Sequence, residues 1–170
     1  MSAGYEPGVW TAMYGAVVAA AAAFAGLLFV ALTVNLPRIL PDAAHLARAR
    51  EALAGLLSLL VVGLLVLIPG QGRDALGIEL LGAAAVLVAI SIPLQRQTIR
   101  RLPGGGRARW ALRMLPVNLA TIAIAVAGAS LLAEAGGGLY WLAGTVVVYI
   151  MRSAFDAWAL VVEAAGIPRR

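Results

Sequence analysis

Five long apolar runs constrain this chain more than any other feature. A bilayer hydrocarbon core about 30 Å thick is crossed by roughly 20 apolar residues rising 1.5 Å each. Runs of about that length occupy 9–34, 52–68, 74–94, 111–133 and 140–162. Inside lipid every backbone N–H and C=O must be satisfied within the protein, so such runs are expected as helices. The expected fold is therefore all-α, a polytopic transmembrane helical bundle of about five spanning helices. It is expected to form one transmembrane domain over residues 1–170. Composition agrees: 62% of residues are hydrophobic and 12% charged. A soluble domain is nearer half and a quarter.

The boundaries carry the punctuation that membrane helices need. Trp10 and Tyr14 stand at the start of the first run and Tyr140 and Trp141 at the start of the last, as interfacial anchors. Gly15, Ala19, Ala23 and Gly26 lie near one face of the first span, a spacing that lets another helix approach closely. That span closes at Asn35-Leu36-Pro37. Pro41-Asp42 suits the opening of a new helix, with proline in the first turn and aspartate against the dipole. Pro69-Gly70-Gln71-Gly72 predicts a tight turn. Pro103-Gly104-Gly105-Gly106 predicts a linker and Gly136-Gly137-Gly138 a second one.

All 13 basic residues are arginine, and their placement predicts orientation. Arg38, Arg48 and Arg50 fall in the segment 35–51. Arg96, Arg100, Arg101, Arg107 and Arg109 fall in 95–110, and Arg169 and Arg170 end the chain. The N-terminal tail, the 69–72 turn and the 134–138 turn are nearly free of them. Cationic segments stay in the cytoplasm, so 35–51 and 95–110 are expected as cytoplasmic loops. The N-terminus is then outside and the C-terminus cytoplasmic. A four-span chain would leave one strongly basic segment on the wrong side. The lysine-free, Ala-, Gly-, Val- and Leu-rich composition points to a GC-rich bacterium, hence to a bacterial cytoplasmic membrane. The net charge of +5 and the pI near 10.7 read as topology signals facing anionic lipid, not as nucleic-acid binding.

A charge in a span costs roughly 2.5–3.5 kcal/mol, so each one asks for a reason. Arg152 and Asp156 are four apart in the last span and share a helical face with Tyr149 and, nearly, Glu163. This stripe is either a polar path or a self-neutralising Arg–Asp pair with arginine reaching the interface. Asn118 follows Pro116, which frees a carbonyl one turn earlier. Thr121, Ser130 or Asn118 itself is suited to satisfy that carbonyl or bond to a neighbouring helix. Asn35 belongs to the same inner zone. The expected intramembrane cluster is thus Asn35, Asn118, Tyr149, Arg152, Asp156 and Glu163. Glu79 is a secondary candidate, as an outer-interface acid near a helix N-terminus or as a partner of Arg73 or Arg113. His45 reads as a solvated or lipid-facing histidine.

Several chemistries have no footing. There is no cysteine and only one histidine, which leaves no thiol chemistry and no multi-His metal site. No phosphate loop of the GxxxxGK[ST] kind, no HExxH pair and no GxSxG elbow occurs. Neither an enzyme, nor a cofactor, nor a resident metal is expected.

The runs Phe24–Asn35 and Leu65–Gln71 resemble a family of small actinobacterial polytopic membrane proteins. Some of its members are described as modulators of a membrane-bound AAA+ protease. The resemblance implies a membrane role of that kind and transfers no site residues. The expected function is that of a non-enzymatic integral membrane protein acting through helix–helix interactions, modulating another membrane complex. Its partners are the lipid bilayer and either a second copy of itself or another membrane protein. The alternative is a small oligomeric channel or transporter with a polar path along the last helix.

Overall fold

The computed structural model describes residues 3–41, 43–101 and 104–164, and among them every regular element is helical. Two 3-10 turns, Ala3–Tyr5 and Pro7–Trp10, precede α1 (Thr11–Val34). Then come α2 (Leu36–Ile39), α3 (Ala43–Val66), α4 (Arg73–Arg101), α5 (Gly104–Ala133) and α6 (Tyr140–Ala164). Four helical stretches are long and apolar enough to cross a membrane: Pro7–Val34, Ala49–Val66, Arg73–Pro93 and Trp110–Ala133. α6 is helical for 25 residues, with a shorter apolar stretch at Tyr140–Phe155. Large side chains such as Leu27, Phe29, Ile78 and Leu112 point outward. An outer surface this apolar is suited to lipid, not water.

The helix expected to open after Pro41 is α3, which runs from Ala43 without a break into the second apolar run, and α4 continues past its own apolar run to Arg101. One sequence expectation needs correction. The linker expected at 103–106 is helical from Gly104, since Gly104, Gly105 and Gly106 form the first turn of α5, while Pro103 lies outside the described residues. Glycine costs a helix about 1 kcal/mol per residue relative to alanine. Once the apolar run has nucleated the helix, extension past the membrane face has to overcome only that propensity term. The second glycine run is a turn as expected. Gly136, Gly137 and Gly138 have φ of 87°, 107° and 58°. Left-handed backbone of this kind is costly for any residue with a Cβ.

The chain forms two compact units. The first comprises Met1–Thr11 and Leu65–Thr145. Its centre is the antiparallel pair α4–α5, whose buried side chains include Leu76, Leu80, Ile124 and Leu131. The two backbones nearly touch at Gly77 and Gly128. A Cβ on Gly128 would lie 2.8 Å from the Gly77 carbonyl oxygen, and one on Gly77 would lie 3.0 Å from that of Gly128. Small residues at helix crossings serve this close approach in membranes, where dispersion replaces the hydrophobic effect.

The second unit comprises Ala12–Leu64 and Val146–Arg170. Leu28 of α1 packs with Ala49, Ala52 and Leu56 of α3, flanked by Ala25, Leu32 and Leu53. Gly63 of α3 admits Val18 of α1, whose Cγ2 would be 2.6 Å from an added Cβ. Gly55 of α3 likewise admits Tyr149 and Ser153 of α6, 3.2 and 3.3 Å from an added Cβ.

Candidate functional site

Polar groups in apolar helices mark where function or assembly concentrates, since each must find a partner. In the second unit, Gly55 faces Tyr149. One turn back along α3 and one turn on along α6, Glu51 faces Arg152, with Arg152 Nη2 3.4 Å from Glu51 Oε2. Both side chains are largely shielded, at 17% and 28% exposure. Sequence reasoning missed Glu51 as a partner, because the i,i+4 rule shows Asp156 and cannot show a residue a hundred positions away. Tyr149 is buried against Gly55. Asn35 turns back on its own helix, donating from Nδ2 to the Ala31 carbonyl at 2.9 Å. Asp156 and Glu163 lie within α6, but their side chains, like that of His45, fall outside those described.

Asn118 belongs to the first unit, where it pairs with a residue the sequence did not single out. Gln95 Nε2 donates to Asn118 Oδ1 at 2.9 Å, and Asn118 Nδ2 returns a longer contact of 3.5 Å to Gln95 Oε1. The pair joins α4 to α5 and closes one end of a groove of about 340 Å³ running between them. The expected interhelical role of Asn118 is therefore met by an amide. Thr121 bonds within α5, donating to the Val117 carbonyl at 3.0 Å.

The other end of the first unit is tied by a polar network. Glu79 accepts from Gln71 Nε2 at 2.5 Å, and the Arg113 side chain lies outside those described. Arg73 instead reaches Glu134 at 2.5 Å and Asp74 at 3.1 Å. Glu134 leads into the glycine turn, and the N-terminal residues clasp that same turn. Leu139 N donates to the Gly4 carbonyl at 2.8 Å, and Gly137 N donates to Tyr5 Oη at 2.9 Å. Trp10 Nε1 donates to the Ala3 carbonyl at 2.7 Å, and its ring meets Tyr140 edge-on with centroids 4.9 Å apart. Ser130 Oγ accepts from Gly138 N at 2.7 Å and donates to the Ala135 carbonyl. The sequence marks the aromatics and glycines of this clasp but not their pairing. Three arginine-poor segments, the N-terminal tail, the turn before Arg73 and the 134–139 turn, thus meet at one end of this unit. Arg96 lies beside the Gln95–Asn118 pair toward the other.

Among the described residues, one face of α1 shows no such contact. Tyr14, Val17, Ala21 and Leu28 are its buried residues. At about 100° per residue, Gly15, Ala19, Ala23 and Gly26 fall on roughly the opposite side. Ala19, Ala23 and Gly26 are exposed, and nothing lies within 4 Å of a Cβ built on Gly15 or Gly26.

No family model matches the chain, and neither a curated protein nor a solved structure matches it.

Proposed function

We propose that the chain is a non-enzymatic bacterial plasma-membrane protein that acts through helix–helix contacts, with α1 as the contacting helix, to modulate another membrane complex. The outward small-residue face of α1 carries this reading. Without water to drive association, membrane helices associate where small residues let backbones come close. The same chain uses that device internally at Gly77–Gly128 and Gly63, and α1 presents an unused copy of it.

The orientation belongs to the same proposal: N-terminus outside, C-terminus in the cytoplasm, five crossings. The clasp between the N-terminal tail and the 134–139 turn supports it. Four crossings by α1, α3, α4 and α5 return the chain to the side where it began, and α6 then makes the fifth. The ends joined by the clasp are the arginine-poor ones, which the positive-inside rule assigns to the outside. The Glu51–Arg152 contact favours reading the α6 stripe as a strut between helices over reading it as a water path, since a partnered arginine costs the bilayer less.

The test is a photo-crosslinking residue placed at Ala19 or Ala23 in native membranes, with Ile78 on the exposed face of α4 as the control. The expected result is defined adducts from the α1 positions that disappear when Gly15 and Gly26 are both changed to leucine. Adducts from α1 no more abundant than those from Ile78 would refute the reading.

A further inference from the structure

We propose that the α4–α5 pair holds one anionic phospholipid, its acyl chain lying in the groove and its phosphate beside Arg96 at the groove's polar end. Three observations on the first unit converge on that occupant. The groove is walled by Ala84, Val88, Ser91 and Ile92 from α4 and by Ile122 and Ala125 from α5. Thr121 and Ser91 turn their hydroxyls onto their own helices, so the wall offers mostly methyl groups. From Ala84 to Gln95 the groove runs about 16 Å at 1.5 Å per residue, close to half of a hydrocarbon core of about 30 Å. That is the depth of one leaflet, the reach of one acyl chain.

The polar end has the chemistry of a headgroup site. Gln95 and Asn118 satisfy each other there, and each amide nitrogen keeps a second N–H outside the pair. Arg96 follows directly and is exposed. Charge complementarity selects the sign. Between Glu79 and Glu134 the sequence holds six arginines (96, 100, 101, 107, 109 and 113) and no acidic residue. That stretch of the hairpin supplies no acid of its own, and basic clusters between helices at the cytoplasmic face suit anionic lipid headgroups. A purely topogenic arginine cluster would need no leaflet-deep groove beside it.

The experiment is native mass spectrometry of the full chain in detergent, titrated with equal amounts of phosphatidylglycerol and phosphatidylcholine of matched acyl chains. The expected result is one retained phosphatidylglycerol in clear preference to phosphatidylcholine. Val88→Trp, which fills the groove without altering charge, is expected to abolish retention. Val86→Trp, on the opposite face of the same helix, is expected to leave it intact. Arg96→Gln is expected to weaken it roughly fivefold, the worth of one arginine near a lipid surface. Equal retention of the two lipids by the unaltered protein overturns the proposal, whatever the variants do. So does a preference for phosphatidylglycerol that survives Val88→Trp, which would assign the binding to arginine charge at the helix ends.

Discussion

Replacing Gly138 by alanine tests the N-terminal clasp at its tightest point. Gly138 has φ +58°, and a Cβ there would lie 2.0 Å from the Gly4 carbonyl oxygen. Two costs follow. Left-handed backbone with a Cβ costs about 1–2 kcal/mol. Separating the Cβ from the oxygen to an ordinary C···O distance of about 3.3 Å requires a shift of about 1.3 Å. That shift breaks the Leu139–Gly4 hydrogen bond and strains the Tyr5–Gly137 bond, each worth about 1 kcal/mol net. The expected total is about 3–4 kcal/mol. Gly70→Ala supplies the reference: its φ is +70° and nothing lies within 4 Å of an added Cβ, so it carries only the backbone cost of about 1–2 kcal/mol. Reversible unfolding in mixed micelles of increasing SDS fraction, followed by tryptophan fluorescence, measures both. A Gly138→Ala cost no larger than that of Gly70→Ala would refute the contact with Gly4.

The Gln95–Asn118 pair is expected to show a coupling of about 0.6–1.7 kcal/mol in a double-mutant cycle with leucine at both sites, each single change costing more than its share of the double. Zero coupling in the same SDS titration would mean that the two amides do not meet. Arg152→Ala and Glu51→Ala are expected to be non-additive by about 1 kcal/mol, because either change alone removes the same contact between two partly buried charges. Strict additivity would separate the two residues. Arg73→Gln is expected to lower the thermal midpoint slightly at low salt, with the difference vanishing near 1 M salt as exposed ion pairs are screened. A salt-independent loss would show that Arg73 does not act through its contacts with Glu134 and Asp74.

How much of this was legible in the sequence differs by element for physical reasons. The helices at 9–34 and 111–133 were readable because bilayer thickness sets their length and arginines mark their ends. The turn at Gly136–Gly138 was readable because three adjacent glycines permit backbone that other residues resist. Gly104–Gly106 misled for the same reason: glycine permits a linker without enforcing one, and α5 extends through it. The polar contacts were the least legible. Asp156 was visible as a neighbour of Arg152 because helix periodicity is local, whereas Glu51 becomes its neighbour only through the α3–α6 register that Gly55 and Tyr149 set. Asn118 was marked by Pro116, but nothing local distinguished Gln95 from the other polar residues after Pro93. Gly4 and Tyr5 carry no signal at all until the turn they clasp is in place.

The most direct test of the account is the sidedness of its two ends, and the absence of native cysteine makes it clean. Single cysteines at Glu6, Gly72 and Ala135, and one at Arg107, are exposed to a membrane-impermeant maleimide in intact cells. The account predicts labelling of the first three in intact cells and of Arg107→Cys only after permeabilisation. Labelling of Arg107→Cys in intact cells, or Glu6→Cys and Ala135→Cys on opposite sides, would contradict it.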